Sequence, residues 1–365
     1  MDTDIETNDK KETLTGYLTL FRFAIEAAVV FGMTKVGQSI SMQWGDIGSA
    51  SAGDLYRFFE QPLANAKPEL IEIAPGTPFA KLAGQLRSAG VIAKARDVRY
   101  LVAYARLTDR ATRIKSGEYL VPARQKPATL LDQLVSGRIR QRRLTLVEGW
   151  RFSDIMQAVK NDPALDHTLG EAQPDDVMAA IGHPDEDPEG RFMPDTYMFP
   201  RGTTDVAFLK RAYNTMQQFL DRAWAKRADN TVVDTPYKAL TLASIIEKET
   251  AKASERTRIA GVYSRRLTQG MRLQSDPSVI YGITDYDGNI HKSDLRRDTP
   301  YNTYTRAGLP PTPIAMPSRA SIEAALNPAA GDALYFVARG DGSHVFSATL
   351  AAHNKAVQRY QRGGS

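Results

Sequence analysis

The stretch 206–267 constrains this chain most, because three helical patterns follow one another there with only short breaks between them. Over 206–228, Phe208, Leu209, Ala212, Tyr213, Met216, Phe219, Leu220 and Trp224 recur on one side, an apolar stripe that another part of the chain must cover. Pro236 interrupts the pattern, a second helix is predicted over 237–254, and a third over 255–267 stops at Gly270. The flanking sequence offers short strands rather than one long sheet. Upstream, 70–73, 117–121 and 143–147 read as strands. Phe79, Leu82, Ala83 and Leu86 mark a helix face ending at Gly90, and 127–134 a helix stopped by Gly137, so strand, helix, strand is read twice. A helix over 150–159 and a polar region of loops and short helices over 162–187 lead into the helical block. Downstream come a helix over 321–326, a hairpin turning at Gly340-Asp341-Gly342, and a closing helix over 353–360. The predicted fold class is α+β: a small αβ module, then a mixed, helix-rich domain with short strands.

A chain of 365 residues suffices for two or three domains. The divisions read from the sequence are an N-terminal hydrophobic or amphipathic region over 1–44, a linker over 45–69 with Gly, Ser and Ala clustered between Gly45 and Gly53, a module over 70–147, and a larger domain over 148–365. Within 17–36, Arg22, Glu26 and Lys35 interrupt the apolar run, so those residues alone predict an amphipathic or interfacial helix rather than a span. No basic leader precedes that run, so it does not read as a cleavable signal. The net charge of +5 favours an acidic partner: anionic lipid, a glycan bearing peptide carboxylates, or nucleic acid. Arg138, Arg140, Arg142 and Arg143 read as a solvated basic face.

Several classes of chemistry lack their signatures. With no cysteine, the chain has neither a disulfide framework nor a thiolate metal site. His167, His183 and His291 fall in polar segments, and His344 and His353 lack zinc-motif spacing, so no metal or cofactor is expected. There is no GxxxxGK[ST], no GxGxxG after a strand and no GxSxG, and no RNA-binding aromatic motif, so nucleotide-dependent, serine-hydrolase and nucleic-acid-binding readings have no support.

The second helix of the block contains Glu247-Lys248-Glu249. Two residues apart on a helix, these carboxylates point to roughly opposite sides, so at most one serves a given cleft. Glu247 shares a side with Leu240, Ala243, Ser244 and Ala251, small enough to let another surface approach, whereas Glu249 follows Leu242 and Ile245. A carboxyl held against apolar surface keeps its proton to higher pH, as a general acid requires; the plainer reading is three solvated charges. After Gly270, the triplet Gln274-Ser275-Asp276, locked by Pro277, reads as a fixed loop. The segment from Pro300-Tyr301-Asn302-Thr303-Tyr304 through Gly308 to Pro310-Pro311 is rigid, aromatic and rich in hydrogen-bonding groups, which suits sugar rings; as plain structure, its tyrosines would fill core. In Glu189-Gly190-Arg191-Phe192-Met193-Pro194-Asp195-Thr196-Tyr197, Asp195 could be a cap and Tyr197 core.

Segments 117–122, Val147-Glu148-Gly149-Trp150, 189–197, 243–250, 273–282, 301–311 and 335–354 resemble, in one order, the endolytic murein transglycosylases, the YceG-like family. The likeness runs over about residues 70–360. It implies a lytic transglycosylase, a lyase that cleaves the MurNAc–GlcNAc bond inside peptidoglycan strands, leaves 1,6-anhydro-MurNAc ends and terminates the elongation of nascent strands. The family's catalytic residue is the first glutamate of the Glu-Lys-Glu run, which is Glu247 here. By family position and side-chain chemistry, Gln274, Ser275, Asp276, Tyr281, Tyr301, Asn302, Thr303, Tyr304, Glu189, Asp195 and Tyr197 are expected to bind substrate. The resemblance further implies a LysM-like domain over 70–147, a YceG-like catalytic domain over 148–365, a single N-terminal anchor in the bacterial inner membrane and a periplasmic active site. Glycan strands would be its partner, with peptidoglycan synthases or division proteins beside them. Two rivals are a muramidase that activates water with a second carboxylate such as Asp276 or Asp195, and a glycan-binding or division-scaffold protein whose machinery is idle.

Overall fold

The structure, a computed structural model, describes residues 57–361, so the apolar run over 17–36 lies outside the described residues. Among those described, no helix is long and apolar enough to cross a membrane. The described residues form two compact units that divide between Arg140 and Gln141.

In the first unit, β1 (Glu69–Ile73) and β2 (Gly117–Val121) pair antiparallel, with Leu70 opposite Leu120 and Ile71 opposite Tyr119. Their period-two pattern turns Ile71, Ile73, Tyr119 and Val121 inward and leaves Leu70 and Leu120 exposed. Between the strands lie α1 (Phe79–Ser88), which buries Phe79, Leu82, Ala83 and Leu86, and α2 (Ala95–Leu107). The sequence pattern had only one helix there. In α2, Arg96, Asp97, Arg99 and Arg106 interleave with the buried Tyr100, Leu101, Ala103 and Ala105, which blurs the apolar period. After β2, α3 (Pro127–Ser136) begins on a proline and ends at Gly137, whose φ of 72° gives the left-handed cap that favours glycine. The unit's order is strand, helix, helix, strand, helix.

The strand expected over 143–147 belongs to the second unit: β3 (Gln141–Leu146) pairs antiparallel with β5 (Asp195–Pro200), Leu144 opposite Tyr197. Around this pair, α4 (Phe152–Asn161), α5 (Pro174–Ile181) and the front of α6 (Asp205–Ala225) build one apolar core, with a two-residue parallel pair of β4 (Leu165–Asp166) and β6 (Thr203–Thr204). The second core surrounds α7 (Pro236–Glu249). Thr235 caps that helix by accepting the Lys238 N–H, Pro236 takes its first turn, and every residue from Ala239 to Ile246 is buried. A helix apolar all round must sit inside other elements. Here α6, α8 (Arg256–Thr268) and α10 (Arg319–Leu326) supply that cover. The 237–254 pattern breaks at Thr250, and a short 3-10 turn, Ala253–Glu255, redirects the chain into α8. The loop expected at 274–277 holds at Gln274, with φ 53°, and then becomes the short helix α9 (Asp276–Tyr281) behind Ser275. The predicted hairpin forms as β7 (Tyr335–Ala338) against β8 (His344–Ser347), and α11 (Leu350–Gln361) follows.

Candidate active site

Glu247 stands in the last turn of α7, its side chain only 8% exposed. Its Oε2 accepts three hydrogen bonds: from the Ser318 N–H at 2.9 Å, the Ser318 hydroxyl at 2.5 Å and the Ser321 hydroxyl at 2.7 Å. Ser318 is also the N-cap of α10, so the amide end of that helix, with its partial positive charge, is aimed at the carboxyl group. Oε1 accepts no hydrogen bond among the described residues and has Arg256 Nη2 at 4.0 Å. One oxygen is held and the other is left without a hydrogen-bond partner among the described residues.

The small residues on that face of α7 do let another segment approach. Ser244, one turn before Glu247, accepts the Ile314 N–H at 3.0 Å, so the chain over 314–318 runs along the helix to Ser318. On its other side the same segment meets 149–150: Gly149 N–H donates to Met316 O, and Met316 N–H to Trp150 O. Lys248 donates to Gly149 O at 3.3 Å. Gly190, at φ 78°, packs so close to Pro313 that a Cβ would lie 2.5 Å from the proline ring.

That glycine brings Glu189 into the same region. Glu189 is 5% exposed and accepts the Phe152 N–H at 3.1 Å and the Tyr281 hydroxyl at 3.0 Å. Burial outweighs these donors and pushes its pKa up to about 7. Tyr281 meets Tyr301 edge to face at 4.7 Å, the Arg151 guanidinium lies 4.9 Å over the Tyr281 ring, and the Tyr301 hydroxyl pairs with Thr312 at 3.0 Å. Glu247, Glu189, Tyr281 and Tyr301 are therefore all tied to the 312–318 segment.

Glu249 faces the other way. The hydroxyls of Tyr263 and Ser275 both donate to its Oε1 at 2.5 Å, and burial raises its pKa. Ser275, 1% exposed, spends its hydroxyl there. The backbone behind it is zipped to 302–304, with Ser275 N–H donating to Thr303 Oγ1 and Gln274 N–H to Thr303 O. Asn302, also 1% exposed, donates its amide to the carbonyls of Asp294, Leu295 and Arg297. Ser275, Asn302 and Thr303 thus spend side-chain hydrogen bonds on the frame. Gln274 and Asp276 are exposed, and Asp276 accepts the Tyr304 hydroxyl at 2.6 Å. Tyr197 is core against Phe208 and bonds Met193 O, whereas exposed Asp195 pairs at 3.1 Å with Arg319, the residue after Ser318. Sequence reasoning missed Ser318, Ser321 and Arg256. A Ser-x-x-Ser opening of a helix signals a cap, but nothing local says that its hydroxyls reach a carboxylate 71 residues back.

A model of the YceG-like family matches residues 71–359. The chain belongs to this family. A Bacillus subtilis (strain 168) protein named endolytic murein transglycosylase is 30% identical over 311 residues, covering 80% of this chain and 84% of that protein. A Streptococcus pneumoniae protein of the same name is 27% identical over 310 residues, 75% of this chain and 55% of that longer relative. A crystal structure of a YceG-like protein from Listeria monocytogenes, 27% identical, covers 79% of this chain and 98% of its own, with a TM-score of 0.49.

Proposed function

We propose that this protein is a lytic transglycosylase that cuts the MurNAc–GlcNAc bond within peptidoglycan strands, with Glu247 as acid and then as base. The observation that carries this reading is the Glu247 carboxyl: shielded, fixed through Oε2 by three donors, and open at Oε1. Glycoside hydrolases generally use two carboxyl groups, one to protonate the leaving oxygen and one to activate water or attack the sugar. A lytic transglycosylase needs one, because the MurNAc C6 hydroxyl supplies the replacement oxygen. Glu247 gives its proton to the glycosidic oxygen as the C1–O bond breaks, and the bonding pair leaves with the GlcNAc O4 hydroxyl. The carboxylate then takes the C6 hydroxyl proton as that oxygen closes on C1, leaving a 1,6-anhydro ring and a reprotonated Glu247. Closure within one ring gains from proximity. Tyr281 and Tyr301 offer aromatic faces for sugar rings, and Gln274, Asp276 and Tyr304 offer exposed or half-buried polar groups.

This reading also places the protein at the bacterial inner membrane through 17–36, its second unit in the periplasm, where it would end nascent strands beside synthases or division proteins. The strand, helix, helix, strand order of the first unit supports a LysM-like glycan-binding module. Mass spectrometry of digested glycan tests the chemistry: wild type is expected to leave anhydro ends and Glu247→Gln to bind glycan without cutting it. Reducing ends, heavier by one water, would replace the proposal with a muramidase. Uncut glycan with wild type, bound but unchanged, would replace it with a scaffold.

A further inference from the structure

Arg256 has no place in the scheme above, yet among the described residues it is the cation nearest Glu247 Oε1. Its side chain is 14% exposed, Nη2 lies 4.0 Å from Glu247 Oε1, and its Nε is buried with no hydrogen-bond partner among the described residues. A buried guanidinium N–H left unpaired is uncommon and calls for a reason. The surroundings show how the arginine is held there. It is the first residue of α8, directly after the 3-10 turn Ala253–Glu255. Glu255, 5% exposed, is clamped by His344 of β8, whose backbone N–H donates at 3.1 Å while Nδ1 sits at 2.7 Å. The hairpin therefore fixes the turn, and the turn presents Arg256 to the last turn of α7.

We infer that Arg256 is a positioning residue for the transglycosylation, holding and stabilising the Glu247 carboxylate formed when the proton leaves, with the His344–Glu255 clamp setting its place. This rests on Glu247 being the acid and base. The charge it senses appears on proton transfer to the glycosidic oxygen and disappears when the C6 hydroxyl proton is taken up. Guanidinium attraction is thus greatest between the two halves of the reaction, when Glu247 is ionised. Among the described residues, Glu247 also meets the Ser318 and Ser321 donors of α10, and the neighbouring Lys248 on its own helix is engaged with Gly149 O.

The test is glycan cleavage by full-length protein carrying Arg256→Met, Arg256→Gln or Arg256→Lys, with kcat, KM and the pH profile measured for each and folding checked by thermal melting. Met and Gln are expected to lower kcat about 100-fold with KM little changed. They should also displace the pH profile of kcat/KM, which a merely structural loss would leave in place. Lys keeps the charge and is expected to restore the wild-type profile and at least a tenth of kcat; if Met and Gln fail to fold, a Lys variant whose profile is also displaced overturns the inference. Folded Met or Gln variants with wild-type kcat and profile overturn it too, as does a loss confined to KM. Failure of the underlying reading looks different: Glu247→Gln would then still cut, whatever Arg256 does.

Discussion

The two faces of α7 carry glutamates two positions apart in surroundings that share almost nothing. Glu247 has one oxygen saturated by Ser318 and Ser321, the other open toward Arg256, and lies against the segment that also holds Glu189 and Tyr301. Glu249 is enclosed, with both its donors, Tyr263 and Ser275, on the same oxygen and burial favouring the neutral acid. A helix turns residues two apart to opposite sides, so one Glu-Lys-Glu run places its two carboxyls in different surroundings. The difference lies in the partner segments, not in the glutamates themselves.

The sharpest way to break this contrast is to remove each acid in turn. Glu247→Gln is expected to lower the cleavage rate at least about 1000-fold, and Glu249→Gln less than about tenfold, because Gln still accepts from Tyr263 and Ser275. The opposite ranking in the same glycan assay would move the catalytic proton to Glu249. Glu189 adds a third buried carboxyl. The folded protein keeps its proton up to about pH 7 and the unfolded chain only to about 4.5, so its stabilising contribution is complete below about 4.5 and is lost as pH rises toward 7. That loss is about 3 kcal/mol. Denaturant melts at pH 5 and pH 8 should show Glu189→Gln free of this part of the slope; an unchanged slope would rule the group out.

Smaller effects separate frame from groove. Asn302→Ala removes an amide that satisfies three carbonyls on the Glu249 side and should cost about 2 kcal/mol of stability, read as a lower Tm, with KM of the folded enzyme unchanged. A raised KM at unchanged stability would return Asn302 to the sugar-binding surface. Tyr301→Phe keeps the ring against Tyr281 and loses only the bond to Thr312, so a change below about 1 kcal/mol is expected in either stability or glycan binding.

Much of the fold was legible along the chain. The α6 stripe, the Pro236 break, the Gly137 stop and the Gly340-Asp341-Gly342 hairpin are local signals, and each appears where its residues indicate. Less visible were α2, whose charged residues blur its period, and the allegiance of β3, because a strand's sequence does not name its partner. The site divided the same way. The opposite directions of Glu247 and Glu249 follow from helix geometry, but the polar segment 274–276 and Asn302-Thr303 had two possible uses, and the structure gives Ser275, Asn302 and Thr303 the internal one.

By itself, then, the sequence determined the order of elements, the YceG-like pattern and the splitting of the Glu-Lys-Glu pair, all of which depend on periodicity or short-range spacing. Only the tertiary structure decided that Ser318 and Ser321 grip one oxygen of Glu247, that the Gly190–Pro313 contact brings Glu189 alongside, and that His344 fixes the turn before Arg256. Most of these contacts close loops of about 70 to 120 residues, and chain connectivity places no local signature on a pairing that distant.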